Sequence, residues 1–472
     1  MGTGPKGKAL APNEGDRARR GNARVEYMNN DLTTGNIRNN LIRFALPYLL
    51  AAFMQTFYGM ADLMIVGLYN SASTTTAVSI GSQVMHMLTV VILGFAMGTT
   101  VHVGRCVGAK DKDGASKIIA NSVYFFIAFA VVMTTILLIA TKGIVSIMST
   151  PGEAVTETRQ YLYLCFVGLP FIVAYNVISS IFRGAGDSKR PMFFVAIACV
   201  TNIVLDFLFI GYFGLGAKGA ALGTVLGQAV SVIISLISIR KVDFGFNRSI
   251  KGERLDLSAV NKVLSVGTPV ALQDGFIQVA FIVITIIANS RGLIAAASVG
   301  IVEKIICFLF LVPSSFLSAI SAITAQNLGA GKKERAKKSL YYGLLITVTW
   351  GLICSIYCQF LPNTIVRLFT KETVVLLAGC EYLRSYCFDT VFAAVHFCFS
   401  GYFCGCEKSK VSFLHNLISV LAVRIPGTYL FSKWWPETLY PMGWAAPLGS
   451  LLSALICIGF YIYFEKFSKE ES

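Results

Sequence analysis

Long apolar runs dominate the chain, and short polar stretches punctuate them. Residues 123–139 carry no charge, and residues 278–289 sit between further apolar residues on both sides. A helix of about 20 apolar residues crosses the hydrocarbon core of a bilayer. The pattern predicts twelve such spans: 38–66, 75–104, 117–141, 157–182, 190–212, 218–240, 259–287, 294–326, 338–361, 376–403, 411–432 and 442–465. Backbone N–H and C=O groups find no water in that core, so they must be satisfied within each segment. The expected fold is therefore an all-α integral membrane protein and not a set of open sheets. The N-terminus is polar and basic, with no short apolar core beside a cleavage site, so a signal peptide is not expected.

The spans repeat. Pro47 in Leu46-Pro47 finds Pro269 in Thr268-Pro269, an offset of 222. Gly108-Ala109 finds Gly329-Ala330, Tyr161-Leu162 finds Tyr382-Leu383, and Phe182 with Lys189 finds Phe403 with Lys410, all at 221. An offset of 221–222 shared by four separate motifs is the mark of duplication. Six spans per half is an even number, so both halves enter the membrane from the same side as parallel repeats. The expected organisation is a basic, largely disordered tail over 1–36, an N-lobe over 37–240, a linker over 241–258, a C-lobe over 259–466 and a tail over 467–472. Two pseudo-symmetric bundles on one linker can rock about a central cavity, which points to a transporter.

Composition supports this picture and charge orients it. Hydrophobic residues make up 55% of the chain and charged residues 14%, against roughly 45–50% and about 25% in soluble domains. A net charge of +15 raises the question of nucleic acid, but the basic residues recur in alternate loops and form no single stripe. Arg105, Lys110 and Lys112 lie in the second loop, Arg183, Lys189 and Arg190 in the fourth, Lys332, Lys333 and Arg335 in the eighth, and Lys408 and Lys410 in the tenth. The first loop, near residues 70–75, has no charge. The positive-inside rule places both termini and every even loop in the cytoplasm. The twelve cysteines show no metal or disulfide framework and read as reduced thiols.

Ionisable residues within spans cost about 2.5–3.5 kcal/mol each on insertion scales, so each needs a reason. In the first half these are Asp62 in span 1 and Asp206 in span 5. Asn202 lies one turn before Asp206 on the same face, and Thr224 lies in the small-residue stretch 219–227 of span 6. Gln55 lies seven residues before Asp62, again on one face. Carboxylates with amide and hydroxyl oxygens beside them can accept a proton or ligate a small hard cation. The plainer reading is that each Asp satisfies a buried donor or borders a loop. The second half offers Asp274, Glu303, Lys304 and Asp389. Asp274 and Asp389 either form a second cation site, or one of them pairs with Lys304. The four histidines lack metal spacing and read as packed residues. The aromatics, Tyr58 among them, mostly fill lipid-facing and packing positions.

Together the motifs resemble the multidrug and toxic compound extrusion (MATE) transporters. They are Leu46-Pro47 with Gln55 and Ala61-Asp62, then Phe182-Arg183-Gly184-Ala185-Gly186-Asp187 and Asn202-Ile203-Val204-Leu205-Asp206. Gly219-Ala220-Ala221-Leu222-Gly223-Thr224 and Gln326-Asn327-Leu328-Gly329-Ala330-Gly331-Lys332 complete the set. The resemblance implies a V-shaped pair of six-helix lobes that expels small cationic or amphipathic organic substrates in exchange for H+ or Na+. It implies an N-lobe cation site at Asp62, Asn202, Asp206 and Thr224, with Gln55 and Asn176 on the adjacent substrate cavity. Some members use a C-lobe site with a span 7 carboxylate and a span 10 Asp, which Asp274 and Asp389 resemble. Span 7 here lacks the Glu usual in that branch. The expected protein is a monomer in the lipid of the plasma (inner) membrane, with no cofactor and no nucleic-acid partner. Three other readings compete: a flippase for lipid-linked oligosaccharides, an intramembrane enzyme and a channel. The first wants a cationic cavity, the second a nucleophile–base pair or metal motif within spans, and the third a filter-like loop.

Overall fold

The structure is a computed structural model describing residues 31–241 and 254–470. Helix is the only regular structure among the described residues. The N-lobe contains α1 (Ile37–Tyr69), α2 (Ala72–Ala109) and α3 (Lys112–Ile147). Then come α4 in two pieces, α5 (Lys189–Tyr212) and α6 (Gly216–Lys241). The C-lobe contains α7 (Leu257–Ser290), α8 (Leu293–Gly329) and α9 (Lys333–Phe360), then α10 in two pieces, α11 (Ser409–Trp434) and α12 (Tyr440–Lys466). The pieces of α4, Val155–Val167 and Leu169–Gly184, meet at 46°, and those of α10, Thr373–Tyr386 and Asp389–Gly405, at 44°. Ten single helices and two bent pairs make the twelve spans.

Most helices run a turn or more past the apolar stretch that announced them. α3 starts at Lys112 where hydropathy suggests 117, because Asp111 caps it by accepting from the Gly114 N–H at 2.8 Å. Hydropathy marks the hydrocarbon crossing, whereas capping marks the helix end. Each lobe has its own core. Tyr161, Leu162 and Phe166 are fully buried in the first, and their repeat partners Tyr382 and Leu383 lie with Tyr386 and Met442 in the second.

The lobes meet at the ends that carry the basic loops. The contact is reciprocal, as a two-fold axis demands. A Cβ on Gly108 would lie 1.9 Å from the Gln326 carbonyl oxygen, and one on Gly329 would lie 2.0 Å from that of Arg105. Only glycine lets α2 and α8 approach this closely. Gln326 Nε2 donates to the Gly184 carbonyl at 2.8 Å. At the related position Arg105 reaches Glu407 at 2.6 Å, and His102 lies 3.4 Å from the same carboxylate.

The expected tail over 1–36 is not uniform. Residues 31–36 are held against the C-lobe: Arg335 donates to the carbonyls of Gly35 and Thr34 at 2.9 and 3.0 Å, and Lys332 to that of Thr33 at 2.8 Å. Leu32 is buried among C-lobe side chains. This anchoring depends on contacts about 300 residues away, which no local pattern announces. Residues 1–30 and most of the linker, 242–253, lie outside the described residues. All twelve cysteines are free.

Candidate functional site

α1, α5 and α6 bring the four N-lobe polar residues to one point. Asp62 is 4% exposed, Asn202 2% and Asp206 0%. The Thr224 hydroxyl donates to Asp62 Oδ2 at 3.3 Å. The Asn202 side chain ties Asp62 to α6. Its nitrogen, with the amide turned to satisfy both ends, donates to Asp62 Oδ1 at 2.8 Å while its oxygen accepts from the Thr224 N–H at 3.2 Å. In that orientation it is the amide oxygen that lies 3.5 Å from Asp206 Oδ2, so a hydrogen bond between them needs a proton on Asp206. Asp62 and Asp206 are within hydrogen-bonding reach of each other, and Asp206 Oδ1 has no partner in the protein. Two carboxyls this close cannot both stay charged without a proton or cation between them.

Local sequence explains the convergence. Asn202 and Asp206 are four apart on α5 and share a face. Directly after Asp206 the helix widens into a π turn over Phe207–Tyr212, a feature common at functional sites. Facing it, Gly223 has no side chain; a Cβ there would lie 2.1 Å from Asp206 Oδ1. α6 therefore touches the carboxylate through its backbone.

Two further residues join the cluster. Tyr58 lies one turn before Asp62, and its hydroxyl is within hydrogen-bonding reach of Gln228, itself one turn after Thr224. Gln228 Oε1 is buried without a partner. Their i, i+4 spacing from Asp62 and Thr224 is the signal that could have found them. Gln55 and Asn176 stand apart from the acids. Asn176 is buried and donates to the Ile172 carbonyl of its own helix at 2.9 Å, and Gln55 is half-buried on α1. Phe53 stacks on Phe57 at 6.4 Å and meets Phe308 of the C-lobe at the same distance, bridging α1 and α8.

The C-lobe is arranged differently. Asp389, at the bend of α10 and 0% exposed, accepts from Arg424 Nη2 at 2.7 Å. The pairing with Lys304 does not form: Lys304 is exposed, and Arg424 of α11 is the partner instead. Among the described residues no hydrogen bond or ion pair joins Asp274 to Asp389. Asp274 accepts from Gln273 at 3.5 Å, and Glu303 from Thr285 at 3.4 Å. Sequence reasoning overlooked Arg424, although an arginine in mid-span is itself a signal. The histidines read as packed residues include an edge-to-face pair, His396 and His415, at 5.6 Å.

Two six-helix repeats, one of them holding a buried acidic cluster, are the architecture of a membrane transporter. The MatE family model matches residues 47–208 and again 269–430, once in each lobe and at an offset of 222. The chain belongs to the MatE family of efflux transporters. Among its relatives, the "Probable multidrug resistance protein YpnP" of Bacillus subtilis is 26% identical over 407 residues, covering 86% of this chain and 90% of that protein. The "Probable multidrug resistance protein NorM" of Thermotoga maritima is 24% identical over 403 residues, covering 84% and 86%. A MOP superfamily transporter from Pyrococcus furiosus has the same fold, with TM-score 0.87, 22% identity and coverage of 94% and 98%. A multidrug resistance MATE family transporter solved in an outward-facing conformation matches with TM-score 0.86, 22% identity and coverage of 93% and 98%. The V-shaped two-lobe fold is thus common to these proteins.

Proposed function

We propose that this chain exports small amphipathic or cationic organic molecules by antiport against H+ or Na+, with Asp62, Asn202, Asp206 and Thr224 holding the coupling ion. The observation that carries this is the contact of two buried carboxyls with no protein cation beside them. A proton or a sodium ion supplies the missing positive charge, and the amide and hydroxyl oxygens complete a hard-oxygen set. Export follows if ion and substrate exclude each other: an ion entering the cluster expels the substrate outward, and its release inward resets the lobe. The names of relatives such as YpnP and NorM support the substrate class. The aromatic group of Phe53, Phe57 and Phe308, near Gln55 on the same helix, offers ring faces to flat cations. The positive-inside rule puts the interlobe seam on the cytoplasmic side of the plasma membrane, with both termini there. The described conformation is then closed inward, and alternating access requires the seam to part. The chain works as a monomer in lipid, since both lobes reside in one polypeptide.

Ethidium transport in everted vesicles, driven by an imposed pH gradient or an imposed sodium gradient, tests this reading. One gradient is expected to drive transport by the unmodified protein and to fail with Asp206→Asn. Transport by Asp206→Asn at the unmodified rate would refute the N-lobe site.

A further inference from the structure

The repeats superpose at an offset of 221–222, which sets Asn202 against Val423 or Arg424, Asp206 against Gly427 or Thr428, and Asp62 against Val283 or Ile284. The C-lobe therefore lacks both acids of the N-lobe cluster and carries a guanidinium at, or next to, the position of Asn202. Its own buried acid, Asp389, comes from a different helix and lies against that guanidinium.

The arginine is held firmly. Arg424 closes a π turn over Val420–Arg424, and its Nη2 donates to Ser450 at 3.1 Å as well as to Asp389. Ser450 meets His396 Nε2 at 3.4 Å. His396 meets His415 edge to face, and the Nε2 and Nδ1 of His415 lie 2.9 and 3.2 Å from Ser400 and Ser453. Every member of this network is buried. Asp389 Oδ1 is unpartnered, but the carboxylate's charge is already balanced. A further proton or sodium ion on it would leave net positive charge in a buried site, which is costly.

We propose that Arg424 is the resident cation at Asp389: it occupies that carboxylate permanently and closes it to the exchangeable coupling ion. The inference rests on the antiport reading above, and it makes Arg424 a residue that decides which buried acid couples. It predicts that the pair can be removed together without loss of coupling, although not singly.

The test compares Asp206→Asn with the double variant Asp389→Asn/Arg424→Gln in proteoliposomes, reading gradient-driven ethidium transport and the number of ions exchanged per ethidium. The double variant is expected to keep a rate within about twofold of the unmodified protein and the same ratio, whereas Asp206→Asn falls to the level of empty liposomes. If both lose coupling, the resident-cation inference fails and the N-lobe reading stands. If both keep it, the N-lobe reading fails and the inference stands. Coupling kept by Asp206→Asn and lost by the double variant overturns both. Should the double variant not fold, Asp389→Leu/Arg424→Met replaces the ion pair with apolar groups, a change that buried pairs often tolerate. Its coupling decides the inference in the same way.

Discussion

Set on their repeat, the two lobes present the same helices and opposite electrostatics. α4 and α10 bend by 46° and 44°, and α5 and α11 each contain a π turn. Between the N-lobe helices lie two carboxyls with no cation from the protein. In the C-lobe Asp389 lies against its arginine, while the half-buried Asp274 and Glu303 accept only from a neutral amide and hydroxyl. The paired N-lobe acids thus have a charge deficit to be met from solution, and the Asp389 site does not. Duplication supplied two similar lobes, and the proposal above assigns the ion exchange to the lobe whose buried acids lack a protein cation.

The contrast can be broken from either side. Asp206→Asn should have the largest effect, reducing gradient-driven efflux to background while the protein stays folded, as checked by ethidium flux beside thermal unfolding in detergent. Asp389→Asn alone should act mainly on stability. It strands a buried guanidinium, a loss of about 3–5 kcal/mol for a broken buried pair, and adding Arg424→Gln should restore most of the unfolding temperature.

Gly223→Ala is subtler. The new Cβ must displace the Asp206 carboxylate or α6, an overpacking cost of about 1–3 kcal/mol. If most of it falls on ion binding, the half-saturating ion concentration rises about tenfold, since about 1.4 kcal/mol is tenfold in affinity. Glu407→Gln removes a partly exposed tie between the lobes at Arg105 and His102. A pair of that kind is worth about 0.2–1 kcal/mol, so the inward-open population should rise by a few-fold at most, as read by labelling of cysteines placed along the seam.

The smallest effect concerns Asp256, which caps α7. Lys117 of the N-lobe and the Ser258 N–H hold its carboxyl below the ordinary carboxylate range. A depressed carboxyl stabilises the fold above its unfolded pKa, and the contribution fades as pH falls through the folded value. The stability difference between the unmodified protein and Asp256→Asn should therefore be constant near neutral pH and shrink below about pH 4, measured as paired unfolding temperatures.

The architecture could be read in the chain because membrane insertion imposes a strong one-dimensional pattern and duplication stamps it twice. The N-lobe cluster was readable for a related reason: Asp62 and Asp206 are rare charges in apolar runs, and Asn202 sits one turn from the second. Arg424 obeys the same rule, a charge within the apolar span 411–432, and was overlooked. The Asp389–Arg424 pairing links α10 to α11 across 35 residues, and a linear pattern does not encode that contact. Tyr58 and Gln228 look like ordinary packing residues until α1 and α6 are placed side by side. The anchoring of residues 31–36 by Arg335 is likewise a fact of three dimensions.

Cation displacement on substrate binding tests the separation of tasks most directly. Purified protein in detergent is titrated with ethidium while released ions are counted, as protons by calorimetry in buffers of different ionisation enthalpy and as sodium by equilibrium binding of the radioactive ion. The account predicts one cation released per ethidium bound, lost in Asp206→Asn and unchanged in Asp389→Asn/Arg424→Gln. Release that persists in Asp206→Asn and disappears in the double variant would contradict it.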